Sequence, residues 1–337
     1  MSENELSDTI TRITGARSVE FGEVIQSLWS GYGVIQRATL LLASPAREGE
    51  RVVIKHVDLS GARPNRRGWG GENSHRRKVH SYEVETRFYE SFSKKCDASC
   101  RVPSLIAFHE NLDNSGRVMV LEDLDFAGFA KRKGDASALN ICSCLSWLAN
   151  FHATFMGDPC EGLWPIGTYW HLATRTDEYE AMPEGMLKRA AKAIDHRLNE
   201  ATYQTVLHGD AKLANFCFSE SNANRVAAVD FQYVGRGCGM KDVAYFISSC
   251  LDGADAAEQQ EQLLQWYFQQ LRIALSDRDV KIDADAVEAE WRALYPIAWA
   301  DFARFLTGWS PDHWKLNRFV DEITETALRT LAQHDGA

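Results

Sequence analysis

Apolar positions fall into two textures along the chain. Up to about residue 124 they form short β-branched runs at 24–29, 34–42, 52–57, 102–108 and 118–121, which read as five strands. A short helix is expected at 6–14 and a longer one at 74–92, where Tyr82, Tyr89 and Phe92 share one stripe. Turn-rich segments at 44–50, 61–71 and 111–116 separate the runs. Beyond residue 124 the apolar period lengthens to that of helices, at 137–156, 184–199, 255–275, 285–308 and 317–333. One short strand pair, 215–218 and 226–230, interrupts them. The pattern predicts an α+β protein of two parts, 1–124 and 125–337, divided by a change of secondary-structure type rather than by a linker.

Composition narrows the class. With 337 residues, 45% hydrophobic and 25% charged, the chain is long enough for two medium-sized cores and ordinary for a globular protein. A net charge of -10 disfavours nucleic acid as a partner, because phosphate backbones attract basic surfaces. Nucleotides need only a few local cations and stay in play. The start, Met1-Ser2-Glu3-Asn4-Glu5, is polar, and the most apolar helix (139–155) is broken by Asn140, Ser143, Ser146, Asn150 and His152. A soluble, cytoplasmic protein without a membrane partner is expected. The eight cysteines predict free thiols, since Cys96/Cys100 and Cys142/Cys144 lack Cys-x-x-Cys spacing.

The candidate chemistry lies in Val206-Leu207-His208-Gly209-Asp210-Ala211-Lys212-Leu213-Ala214-Asn215, followed by Asp230 after the apolar run 226–229. Phosphoryl transfer needs cations on the phosphates, oxygen ligands for a metal and a carboxylate to orient the attacking hydroxyl. Asp210 fits the last role. Asn215 and Asp230 are hard oxygen ligands suited to Mg²⁺. Lys212 is positioned along the chain to meet the γ-phosphate. Each residue type is also common in turns, so the weight rests on the ordered set.

This stretch resembles the aminoglycoside phosphotransferase and choline kinase-like families, distant relatives of protein kinases. The His-Gly-Asp-x-x-x-x-Asn box is their catalytic signature. Asp230-Phe231-Gln232-Tyr233-Val234-Gly235 resembles the metal motif of choline kinases and is most similar to the ecdysteroid kinase-like branch, with Asp242-Val243-Ala244-Tyr245-Phe246 following it as in the family. The resemblance implies a bilobal protein kinase-like fold, with a five-stranded antiparallel sheet and one helix binding nucleotide and a mainly helical lobe binding the acceptor. It implies that Lys55 grips the ATP phosphates, paired with a glutamate of the next helix. Strand alternation and the helix stripe independently turn Lys55 and Glu85 inward, and Glu83 falls off the stripe. Gly31 and Gly33, in Ser30-Gly31-Tyr32-Gly33, would form the phosphate-covering loop. Glu122 and Leu124 would flank a hinge whose backbone meets adenine.

The expected activity is therefore ATP- and Mg²⁺-dependent transfer of a phosphoryl group to the hydroxyl of a small molecule. A nucleotide-binding pseudokinase that acts as a regulator is the alternative, although it has no need of all five of Lys55, Glu85, Asp210, Asn215 and Asp230. A protein acceptor is disfavoured, because Gln232 replaces the protein-kinase glycine and no Ala-Pro-Glu segment follows. His152 and His208 read as hydrogen-bonded braces. Arg63, Arg66, Arg67, Arg76, Arg77 and Lys78 read as a solvated basic face. Trp164, Trp170, Trp299, Trp309 and Trp314 are mostly core candidates, and Asp301 and Asp312 are candidate selectors of a cationic acceptor. The sequence leaves the acceptor and the oligomeric state open.

Overall fold

The computed structural model describes residues 2–28, 31–42, 49–59, 72–111, 116–222 and 224–335. Ser30, Arg63, Arg66 and Arg67 lie outside the described residues. The chain divides into two compact units, one of Met1–Lys94 with Val102–Lys131 and one of Lys95–Arg101 with Arg132–Ala337.

In the first unit, α1 (Glu3–Thr14) starts at a capping box between Ser2 and Glu5 and stops at Gly15, which takes a left-handed conformation. Strands β1 (Ser18–Ser27), β2 (Gly33–Leu41), β3 (Glu50–Asp58), β4 (Leu105–Glu110) and β5 (Gly116–Glu122) form one antiparallel sheet in the order β1-β2-β3-β5-β4. Leu6 and Ile10 of α1 pack on Ala38, Leu40, Val52, Ile54, Val118 and Val120. The alternate positions of β3 point the other way, where Val57 clusters with Leu28, Tyr32 and Tyr82. Tyr82 belongs to α2 (Glu72–Arg87), which continues into a π-helical turn at Phe88–Phe92. The expected stripe is buried throughout, at Tyr82, Glu85, Tyr89 and Phe92. Strand β4 begins after the predicted position because Pro103 offers no backbone donor to the ladder.

The second unit is mainly helical, with α3 (Ala138–Thr154), α4 (Thr176–Ala181), α5 (Met186–Asn199), α6 (Met240–Cys250), α7 (Gly253–Asp277), α8 (Ala284–Trp309) and α9 (Arg318–Asp335). Two ribbons of three-residue strands interrupt the helices. Strand β6 (Thr205–Leu207) pairs with β9 (Gly235–Gly237), and β7 (Phe216–Phe218) pairs with β8 (Val226–Ala228). The pattern predicted α3, α5, α7, α8 and α9 and the β7–β8 pair. It missed α6, whose residues from Met240 to Ser248 are all buried, so no polar face marks its period. No described helix is long and apolar enough to cross a membrane.

Beneath α8 lies a buried polar cluster. Asp301 accepts from Arg304 (Nη2, 2.8 Å) and from the Trp170 indole (3.1 Å), and sits 3.2 Å from Lys241 Nζ. Burial raises its pKa, but Lys241 and Arg304 outweigh that and hold it below the ordinary carboxylate value. Asp301 is thus a fully buried core ion-pair residue, which corrects its expected role as a selector. His171 belongs to the same neighbourhood, and neither ring nitrogen has a hydrogen-bond partner among the described residues. Burial, reinforced by Lys241, pushes its pKa from 6.5 down to about 3.

The unfolded chain protonates this imidazole near pH 6.5, whereas the folded chain does so only near 3. Stability from this group is therefore fully present above the unfolded value and is lost as pH falls toward the folded one. His171→Phe, which removes two unpaired buried nitrogens at similar volume, is expected to keep or raise the Tm at pH 7.5 and to flatten the loss between pH 6.5 and about 4. Thermal melts across that range check it, and a steeper acid loss in the variant contradicts it.

Candidate functional site

The candidate loop leaves β6 at Leu207 and turns at Gly209, whose φ is +78°. A Cβ there would lie 2.0 Å from the Tyr233 carbonyl oxygen, so only glycine fits both the conformation and the space. Asp242, in the first turn of α6, accepts the backbone N–H groups of His208 (2.6 Å) and Gly209 (3.0 Å). His152 Nε2 lies 3.2 Å from the same carboxylate, and its Nδ1 lies 2.7 Å from the Tyr267 hydroxyl. His208 receives the Asp210 N–H on Nδ1 (3.2 Å) and donates from Nε2 to the Val229 carbonyl (3.1 Å). Burial lowers its pKa, which favours the neutral tautomer this arrangement needs. Both histidines are buried braces.

Asp210 is 6% exposed, and its carboxylate is held by three donors. Lys212 Nζ (2.9 Å) and Asn215 Nδ2 (3.1 Å) reach Oδ2, and the Tyr245 hydroxyl reaches Oδ1 (3.0 Å). Asn215 Nδ2 also donates to the Asp210 carbonyl at 2.8 Å. Burial, aided by the charge of Asp230 and opposed by Lys212, raises the pKa of Asp210. Burial acts to lower the pKa of Lys212, but the Asp210 carboxylate outweighs it and the net shift is upward. Asp230 follows β8 in a left-handed conformation, φ +72°, which strains a non-glycine residue. Its neighbour Phe231 is buried 4.8 Å from the His208 ring and also meets Trp147 and Phe151. The second unit thus brings Asp210, Lys212, Asn215 and Asp230 into one neighbourhood. Among the described residues no group of three or more His, Cys, Asp or Glu side chains forms a candidate metal cage.

Within the first unit, Lys55 Nζ meets Glu85 Oε2 at 2.5 Å, both side chains nearly fully buried. Lys55 also lies 5.6 Å above the Tyr82 ring. Glu83 pairs instead with His80 and Arg117 on the exposed side. Gly31 (φ +76°) and Gly33 (φ +137°) open the turn into β2, where the Leu28 N–H donates to the Gly33 carbonyl at 2.8 Å. The Tyr32 hydroxyl between them lies 2.6 Å from His75 Nδ1. At the expected hinge, Glu122 exchanges hydrogen bonds with the Ser104 backbone, and the Leu124 carbonyl accepts the Phe129 N–H at 2.8 Å. Arg37 pairs with Asp123 (3.3 Å) and Asp125, tying this segment to β2. Arg76 and Lys78 are engaged on α2 itself, with Asn73 and the Tyr82 ring.

Sequence reasoning missed two residues beside Asp210. Tyr245 stands one helical turn after Asp242 on α6, a spacing that was readable once the helix was known. Lys315 lies 5.1 Å from the centre of the Tyr245 ring, and nothing in the sequence pattern pointed to it. Of the five tryptophans, Trp164, Trp170 and Trp299 are core residues, whereas Trp309 and Trp314 are exposed. Asp312 is exposed in the turn after α8.

The two units together have a kinase-like fold. Residues 167–279 match the ecdysteroid kinase-like family, and this stretch spans Gly209, Asp210, Asp230 and Asp242. The family resemblance read from the stretch His208–Asn215 therefore holds over that region. Among solved structures, a microcompartment-associated aminopropanol kinase aligns with a TM-score of 0.51 at 14% identity, over 98% of this chain and 94% of the other. A putative aminoglycoside phosphotransferase from Ralstonia eutropha aligns at 0.50 and 13%, over 98% and 96%. An amicoumacin kinase in complex with AMP-PNP, Ca²⁺ and Ami aligns at 0.50 and 12%, over 99% and 93%. At these identities the likeness shows the fold. No curated protein matches the chain.

Asp242 satisfies two buried backbone donors, so Asp242→Ala is expected to destabilise the protein by about 3 kcal/mol. Denaturant titration of the purified protein measures it, and a change below about 1 kcal/mol would show that the loop holds itself.

Proposed function

We propose that this protein transfers the γ-phosphate of ATP to a hydroxyl of a small molecule in a Mg²⁺-dependent reaction. The observation that carries the reading is the Asp210 carboxylate, buried yet ionisable, held by Lys212, Asn215 and Tyr245 on a loop clamped by Asp242. A fixed carboxylate of this kind orients an incoming hydroxyl and takes its proton as the new bond forms. The kinase-like fold and the ecdysteroid kinase-like match support it.

In this reading residues 1–124 bind nucleotide, and residues 125–337 carry catalysis and the acceptor. Lys55, oriented by Glu85, binds the α- and β-phosphates, and Gly31 and Gly33 cover them. The backbone around Glu122 and Leu124 meets adenine. Asn215 spends its amide nitrogen on Asp210, so its side-chain oxygen, with the Asp230 carboxylate, supplies hard ligands that suit Mg²⁺. Such an ion neutralises charge on the phosphates when bound. It takes only one or two protein carboxylates, which fits a donor set of this size. Lys212 adds positive charge for the moving phosphoryl group. A reaction that consumes ATP suits a cytoplasmic location.

Asp210→Asn keeps the size of the side chain but removes the proton acceptor. It is expected to lower turnover by about 10³-fold while ATP still binds. ADP release with an acceptor, measured beside nucleotide binding, tests this, and wild-type turnover in the variant would remove Asp210 from the mechanism.

A further inference from the structure

The charges around Asp210 are unevenly disposed. Of the second unit's other buried acidic groups, Asp242 is spent on backbone donors, Asp301 on Lys241 and Arg304, and Glu178 on Arg175 (2.8 Å). Asp210 and Asp230 belong to the reaction itself in the reading above. Asp195, close enough to Asp301 to feel its charge, and Asp312, exposed in the turn after α8, form no ion pair among the described residues.

The cations differ. Lys315, in the turn between α8 and α9, lies over the rings of Tyr245 (5.1 Å), Phe302 (5.5 Å) and Trp314 (5.6 Å). It has no carboxylate within ion-pair distance among the described residues. The single hydrogen bond of its ammonium goes to Ser248 Oγ at 3.2 Å, so two of its three N–H donors remain. Burial lowers its pKa to about 8, with Lys212 pushing the same way and Asp210 opposing. It therefore remains mostly protonated at neutral pH. A half-buried ammonium without a counter-ion is costly, and an anion arriving with the ligand relieves that cost. The Tyr245 ring joins the two groups, because its hydroxyl binds Asp210 while its face meets Lys315. Trp314, 61% exposed, opens this end to solvent.

We infer that the phosphoryl acceptor carries an anionic group, a carboxylate or a phosphomonoester, which Lys315 receives while the acceptor's hydroxyl meets Asp210. The inference rests on the phosphotransfer reading above and names its substrate class. In the transfer, the acceptor oxygen bonds to the γ-phosphorus as the bond from that phosphorus to the ADP oxygen breaks. The hydroxyl proton passes to Asp210, and the products are ADP and a phosphorylated acid. An amino alcohol would instead bring an ammonium against Lys315 and Lys212.

The test uses the full chain with ATP and Mg²⁺ and reads ADP release. Acceptors are matched sets on aliphatic, sugar and aromatic skeletons: the neutral alcohol, its carboxylate, its phosphomonoester and its amine. The acidic members are expected to exceed the neutral and amino members at least about tenfold in kcat/KM. The carboxylate and phosphomonoester arms separate the two sources of charge. Lys315→Met is expected to erase the preference mainly through KM, Lys315→Arg to keep most of it, and Lys315→Glu to turn it toward the amine. A wild-type preference for neutral or amino members overturns the inference while leaving phosphotransfer standing, and so does a preference that survives in Lys315→Met. Absence of ADP release with every member, although ATP binds, overturns the phosphotransfer reading and this inference with it. Because the wild-type comparison already decides the matter, a variant that fails to fold does not rescue the inference.

Discussion

Two backbone N–H groups, those of His208 and Gly209, point into the protein at the end of β6, and the Asp242 carboxylate receives both. Much of the second unit is arranged around that contact. A buried carboxylate is tolerable only with donors of this quality, and buried N–H groups need such an acceptor. The contact locks the loop to α6, and α6 then presents Tyr245 one turn later to the Asp210 side chain. One helix thus sets both the backbone and the carboxylate of the loop. His152, itself held by Tyr267 of α7, ties the same carboxylate to α3 and α7.

The first unit uses the same principle on a smaller scale. Strand β3 gives Val52 and Ile54 to α1 on one side, and Lys55 and Val57 to α2 on the other. The pair with Glu85 is buried enough that neither partner tolerates the loss of the other. Its value is orientation more than net stability, since burying two charges costs about as much as their attraction returns.

Where charges are neutralised inside the fold decides what the surface can recognise. Asp301 is the instructive case, being acidic, on the long helix α8, and yet fully consumed by Lys241, Arg304 and Trp170. Lys315 shows the reverse, a cation held against aromatic faces with donors to spare. Counting charges along the chain could not have separated these two, because pairing depends on which helices pack together.

By itself the sequence determined the α+β class, the five strands, most of the long helices and the loop from His208 to Asn215. These features follow from local periodicity and from chemically distinctive residues at short spacing. It also singled out Glu85 over Glu83, because helical facing is a local property. The three-residue ribbon β6–β9 lacked enough residues to show a period, and α6 was buried on all sides and so carried no amphipathic mark. Tertiary structure alone decided the partners of Asp242, the burial of Asp301 and the approach of Lys315 to Tyr245. Each of these joins residues far apart in the chain, and such contacts arise from packing that no local pattern encodes.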